Sequence, residues 1–344
     1  LLLNNPSGLQ LFLASVRTVY LRRLPVSYPP EDTWICESKA VCNRWGKWVN
    51  DMPLPDERGK VAWTRFYPTM VIDTKKLQLD VGPGENLVLR DEDTKELIGF
   101  VYSDLVKNSQ ILKWMNDTVS AGCDALKSVR KEDPGKFALV GYTAGARSVH
   151  CLNWTKSFDT GPTANSYNRN DDGIWDKFNL DISSVFALCW NLIVKAAPEE
   201  VVKDYRSAIR KYGVPEMDGQ RTVKHFDIPD PISGLAHEFH LAEKAPAGGG
   251  LARNYARYIH HEETNLTKFV VSFTTGREGG VKKGGHFYLS DYGVRVQGLA
   301  NRMVGWQPKE LHGTSLADIK DFGKLDSSFN QQGIALTQSN QLPT

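Results

Sequence analysis

Alternation of apolar and polar positions marks the first clear element. Asn86-Leu87-Val88-Leu89-Arg90 and Glu96-Leu97-Ile98-Gly99-Phe100-Val101-Tyr102 flank the polar run Asp91–Lys95, the pattern of a β-hairpin with a solvated tip. Val61–Asp73 and the wider stretch Glu85–Asp104 read as strands and turns. The period then lengthens. Met115, Val119, Cys123 and Leu126 fall on one face of a helix predicted over Ile111–Lys131 and stopped by Asp133-Pro134-Gly135. Ser183–Lys195 is apolar all round, as expected of a buried helix, with a strand as the alternative. Pro198 and the acidic pair Glu199-Glu200 open a further helix that runs to Tyr212 and stops at Gly213.

From about Lys224 the texture changes to short β-rich runs between glycines. These are Leu251–Ile259, Phe269–Thr275, His286–Leu289, Val294–Val296, Met303–Trp306 and Gly333–Thr337, and they contain no helical period. Short strands with glycine-rich turns indicate a jelly roll or sandwich. The expected fold is therefore α+β. A double-stranded β-helix core occupies 221–344, and an N-terminal α/β region, 1–220, packs its helices and hairpin around that core. The border falls near Gln220.

Composition narrows the class. The 344 residues are 41% hydrophobic and 24% charged, which suits a globular core and excludes disorder and collagen-like repeats. With 42 Lys and Arg against 40 Asp and Glu, the net charge of +2 makes no strong demand for nucleic acid or an anionic membrane. Five scattered cysteines without a CxxC pair argue against a disulfide scaffold, and so for an intracellular location, nuclear or cytoplasmic. No apolar run is expected to reach the roughly 20 residues that cross a bilayer. The start, Leu1-Leu2-Leu3 before Asn4-Asn5-Pro6, lacks the basic start and the length of a signal peptide, and the missing initiator Met is expected of a fragment.

Candidate chemistry gathers in the last third. A facial site for ferrous iron needs two histidines and a carboxylate, with coordination positions left open. On a β core, a His-x-Asp/Glu supplies two ligands because side chains two apart share a face. His260 with Glu262 offers that pair, and His312 follows 52 positions further on. The same logic puts Asn254, Ala256 and Tyr258 on the face of His260, so Asn254 and Tyr258 are expected to hydrogen-bond a cosubstrate carboxylate. His261 with Glu263 is the alternative register; the first is preferred because its face already carries Asn and Tyr.

Other motifs carry less. His237-Glu238-Phe239-His240 lacks zincin spacing, and Asn170-Asp171-Asp172 lacks a calcium-loop pattern. Gly248–Gly250 has no phosphate-loop lysine and reads as a hinge or lid. Arg277, Lys282 and Lys283 read as an exposed hairpin turn that could meet phosphate, and the tryptophans as core.

A family resemblance enters on these residues. Asn254–His260, Phe273-Thr274-Thr275-Gly276-Arg277-Glu278-Gly279-Gly280, Gly284-Gly285-His286-Phe287, Asp291-Tyr292-Gly293-Val294, Trp306-Gln307-Pro308 and His312-Gly313-Thr314 resemble iron(II)- and 2-oxoglutarate-dependent dioxygenases, within them the TET/JBP-like group expanded in mushroom-forming fungi. The resemblance spans about Asn254–Thr337, with a looser likeness over the Asn86–Tyr102 hairpin. It implies Fe(II), 2-oxoglutarate, oxygen and oxidation of a C–H bond, with DNA or RNA bearing a modified base as a partner. Catalysis and metal binding would fall to His260, Glu262 and His312. Arg277 and the residues around Tyr292 would lie on the substrate side. Two departures stand out. The family's carboxylate is usually Asp where Glu262 stands, and the arginine that clamps 2-oxoglutarate on the final strand is missing from Phe329–Leu336. Lys320, Lys324 or Arg295 would substitute, with Gln332 adding hydrogen bonds. The same departures suit a catalytically inactive binding module or a nucleic-acid-binding protein.

Overall fold

The computed structural model describes residues 6–50, 66–146, 149–155, 172–217, 226–229, 236–239, 242–319 and 328–342. They form a mixed α/β structure with five α-helices among the described residues. One large sheet has nine strands. In spatial order they are Arg17–Leu21, Leu87–Asp91, Leu97–Ser103, Arg302–Trp306, Val270–Glu278, Asn330–Leu336, Gly248–Arg253, Lys136–Ala146 and Val149–Trp154. A smaller sheet orders His312–Thr314, Phe287–Leu289, Val294–Val296 and Leu79–Val81. The large sheet thus draws strands from both sides of Gln220, which itself lies outside the described residues.

Period-2 alternation sorts the large sheet's two faces. Val271 and Phe273 join Leu251, Ile334 and Leu336 under the helices, whereas Val270, Val304 and Trp306 pack with Leu289, Val294 and Val296 of the small sheet. Each such fully buried side chain contributes about 1.5–3 kcal/mol. The helices Ser109–Ala125, Asp172–Ala196 and Glu199–Tyr212 cover the outer face. Lys177–Ala196 is long and apolar enough to cross a membrane by length and composition alone, which corrects the expectation that no run is. With 72% of it buried in the fold, it is a core helix here. Glu199–Tyr212 begins after Pro198 and ends at Gly213 with φ 62°, as its sequence signals require.

Three expectations need correction. The helix from Ser109 stops at Ala125 instead of Lys131, because the following residues pair elsewhere: Val129 N donates to Phe137 O (2.8 Å), and Phe137 N to Ser128 Oγ (3.2 Å). The strand expected to run to Ile259 ends at Arg253, because Asn254 adopts φ 51°, and its side chain accepts from Gln331 N at 2.7 Å. Gly248–Gly250 is no hinge; it opens a buried strand of the large sheet. A Cβ at Gly249 would lie 2.3 Å from the Phe186 ring, and one at Gly250 2.2 Å from the Phe137 ring, so glycine lets both aromatics close onto the backbone. The predicted Val61–Asp73 stretch lies partly outside the described residues and holds the strand Thr69–Val71.

Candidate metal centre

His312 sits on the small sheet opposite Leu289, and His260 reaches it through a reciprocal backbone pair. His260 N donates to His312 O at 2.9 Å, and His312 N to His260 O at 2.8 Å. The two rings come within 4.5 Å, centroid to centroid. Each Nδ1 then meets the carbonyl two residues earlier, Tyr258 O for His260 and Glu310 O for His312, both at 2.8 Å. A carbonyl only accepts, so Nδ1 of each ring carries a proton, which leaves Nε2 as the atom able to face an ion. Glu262 is anchored by its backbone N donating to Pro308 O (2.7 Å), and its Oε1 stands 3.5 Å from His260 Nε2.

One ligand atom from each of His260, Glu262 and His312 lies within 4.8 Å of the others. Nitrogen and oxygen ligands about 2.0–2.2 Å from a shared ion can be no more than about 4.4 Å apart, and the 4.8 Å bound on the three atoms lies close to that limit. Burial, reinforced by His260, pushes His312 down to about 3. Burial works against the Glu262 carboxylate, yet the His260 hydrogen bond and the charges of His260, His312 and Arg130 outweigh it and bring the group to about 2. At neutral pH, His312 therefore offers an uncharged nitrogen and Glu262 an anionic oxygen. That donor set suits a divalent transition metal, ferrous iron among them.

The cluster opens on a cavity of about 720 Å³ between the two sheets. Phe287 and Trp306 form its apolar side, their ring centroids 6.0 and 5.5 Å from that of His312. On another wall Tyr255 and Arg257 converge on the buried Asp133: the Tyr255 hydroxyl and Arg257 Nη1 both donate to Asp133 Oδ2, at 2.8 and 2.7 Å. Sequence reasoning passed over this triad. Asp133 was legible only as a helix stop, and the alternation assumed through Tyr258 points to a tyrosine that does not line the cavity, whereas Tyr255 does.

The cosubstrate residues expected from sequence are dispersed. Asn254 caps the strand Asn330–Leu336 and does not border the cavity. Tyr258 packs among Trp34 and Tyr67 behind the His260 ring. Arg295 is held by Asp80 (2.9 and 2.5 Å) and Glu37 (2.9 Å), which takes it out of the cavity. Gln332 borders the cavity, but it sits across from Arg253, whose side chain reaches Asp124 and Ser120 on the helix side. The in-register neighbour Gln331 is the one turned toward Arg277. Tyr292 donates to Asp91 Oδ2 (2.9 Å) and does not line the cavity. The alternative pair lies at the surface: His261 meets Glu31 at 3.0 Å, and the Glu263 side chain is 82% exposed. Lys320, Lys324, His240, Asn170 and Asp171 fall outside the described residues, while His237–Phe239 forms part of a short strand.

No family model matches this chain, and no curated protein matches it in sequence. Among solved structures, NgTET1 in complex with 5mC DNA is 7% identical over 77% of this chain and 80% of that one, with a TM-score of 0.44. An oxidoreductase of the 2OG-Fe(II) oxygenase family from Burkholderia pseudomallei is 8% identical, covering 72% and 86%, with a TM-score of 0.32. A Pseudomonas putida prolyl-4-hydroxylase is 7% identical, covering 70% and 92%, with a TM-score of 0.33. Likeness at this level leaves the weight on the geometry of the site.

Proposed function

We propose that this chain is an iron(II)- and 2-oxoglutarate-dependent dioxygenase that oxidises a C–H bond. The observation that carries this reading is the convergence of His260, Glu262 and His312 on one wall of a large cavity. Its scaffold would be a double-stranded β-helix core in 221–344 with 1–220 packed on it. Iron(II) held by the three side chains would supply oxygen activation when bound. The protein's own contribution is to fix both Nδ1 protons on backbone carbonyls, so that both Nε2 atoms face the ion, and to keep Glu262 ionised. Phe287 and Trp306 keep the His312 side apolar and exclude water from it.

The favoured substrate is a methyl group on a modified nucleobase in DNA or RNA. A flipped base needs a pocket of this class, and a cavity of about 720 Å³ has room for it beside a five-carbon cosubstrate. The reading also places the protein's work inside the cell, in the nucleus or cytoplasm.

The test is anaerobic addition of iron(II) and 2-oxoglutarate, watched for the weak visible charge-transfer band of the ternary complex. The band is expected in the wild type and absent in His312→Ala. A second reading, a binding module without catalysis, draws on the final strand Asn330–Leu336, which holds no arginine. Iron uptake without any band would favour it and count against the oxygenase.

A further inference from the structure

The loop that follows the helix Ser109–Ala125 edges the cavity beside Glu262, where Val129 and Arg130 border it. The loop is held at both ends. Val129 N donates to Phe137 O (2.8 Å), and Ser128 Oγ accepts from Phe137 N at 3.2 Å and from Arg130 N at 3.4 Å. Further on, Asp133 N donates to Arg130 O (3.3 Å), while the Asp133 carboxylate accepts from Tyr255 and Arg257, just ahead of His260. These bonds fix the backbone of Arg130 relative to the metal ligands.

The charge on this loop is positive and largely without a partner. Lys127, Arg130 and Lys131 stand against Glu132, because the charge of Asp133 is compensated by Arg257. Lys127 and Lys131 are exposed and meet no carboxylate among the described residues. Arg130 meets one, Glu262 Oε1, at 3.9 Å, with the two side chains 41% and 30% exposed. That distance is too long for a hydrogen bond, and a pair so exposed is worth little. An ion held by Glu262 would take over the charge of that carboxylate, leaving the Arg130 guanidinium to an anion from outside the chain.

A small anion would need a single cation. Here the cations extend from Arg130 at the rim to Lys127 and Lys131, which do not border the cavity, and the 42%-exposed Val129 stands among them. Such a line matches a polymer with a charge on every unit and apolar surface between the charges. A base that reaches a buried site must also leave its stack, which single strands allow at least cost. We infer that the loop 126–133 is a contact surface for a single nucleic-acid strand. Arg130 binds the phosphate beside the base that enters the cavity, Lys127 and Lys131 bind neighbouring phosphates, and Val129 packs on the sugar or base between them. The inference rests on the nucleobase reading above.

Fluorescence anisotropy on Mn(II)-loaded protein tests it, with a short fluorescein-labelled single-stranded DNA bearing one methylated base, titrated over a range of salt. Each phosphate contact removed should flatten the plot of log affinity against log salt by about 0.7. Arg130→Gln should therefore lower the slope by about 0.7, and the triple variant Lys127→Gln/Arg130→Gln/Lys131→Gln by about 2. Lys113→Gln removes the same unit charge from the exposed face of the helix Ser109–Ala125 and should leave the slope as it is. None of these variants should melt lower or bind Mn(II) more weakly than the wild type. Slopes equal to the wild type's, or lowered as much by Lys113→Gln, overturn the assignment and leave the metal site standing. So does an Arg130→Gln protein that loses Mn(II) affinity but keeps its DNA affinity and slope, because Arg130 then only positions Glu262. If the wild type binds Mn(II) and, through Arg130, inorganic phosphate but not the DNA, the site serves a small anion and the strand assignment is overturned. If no Mn(II) binds, the dioxygenase reading fails, and the DNA slopes taken without metal decide the surface alone.

Discussion

Removing the Asp133 carboxylate should be among the most damaging single changes near the site. The Asp133 side chain is fully buried and that of Arg257 is 15% exposed, with their atoms 2.7 Å apart. Burial holds the Asp133 carboxyl above its ordinary range even though Arg257 and the Tyr255 hydroxyl oppose the shift, so desolvation outweighs attraction. A pair of that kind adds little net stability, but breaking it strands the other charge. Asp133→Ala should therefore cost about 3–5 kcal/mol. Unfolding entropy of roughly 2.1 cal/mol/K per residue gives a 344-residue chain about 0.7 kcal/mol/K, so Tm should fall by about 4–7 °C. The double variant Asp133→Ala/Arg257→Met should recover most of that loss, because no charge is left without a partner. Thermal unfolding by circular dichroism of the wild type, the two single variants and the double variant completes the cycle. A single variant within 1 °C of wild type, or a double variant as unstable as Asp133→Ala, would refute the argument that the stranded guanidinium carries the cost.

Two further outcomes follow from neighbouring geometry. His286 is 1% exposed, its Nδ1 accepts from Gly298 N at 2.9 Å, and burial together with the charges of Arg277 and Arg295 pushes it down to about 4. A histidine depressed by folding stabilises above its ordinary 6.5 and loses that contribution as pH falls toward 4. The wild type should thus lose roughly 3 kcal/mol more than His286→Gln between pH 7 and 4 in urea titrations, and parallel curves would exclude the effect. Gly135 has φ 77°, and a Cβ there would stand 2.2 Å from Asn254 O and 2.7 Å from Arg253 O. Gly135→Ala should consequently cost more than the roughly 1–3 kcal/mol of backbone strain alone, read as a Tm drop of several degrees, because it also displaces the turn that carries Asp133.

The parts of this fold legible in the sequence are those where local pattern and tertiary environment agree. The Asn86–Tyr102 hairpin was legible because its two apolar runs flank a polar tip, although both strands bury both faces, Val88, Phe100 and Tyr102 on one core and Leu87, Leu89 and Val101 on the other. Pro198 with Gly213 bounded a helix whose caps are local chemistry. His260, Glu262 and His312 could be grouped because a His-x-Glu and a distant histidine are all that such a site asks of the sequence. Illegible were the residues whose direction depends on a break in regularity. Continuous alternation from Leu251 would aim Asn254 and Tyr258 at the cavity, but the left-handed Asn254 ends the strand and gives that wall to Tyr255 and Arg257. Strict alternation from Val270 is likewise broken by the register shift between Thr274 and Gly276, which turns Gly276 to the helix Ser109–Ala125 and sets Arg277 against Gln331, outside the cavity lining. Gln331 faces Arg277 across that strand pair, so a guanidinium held from the neighbouring strand is invisible to either motif alone.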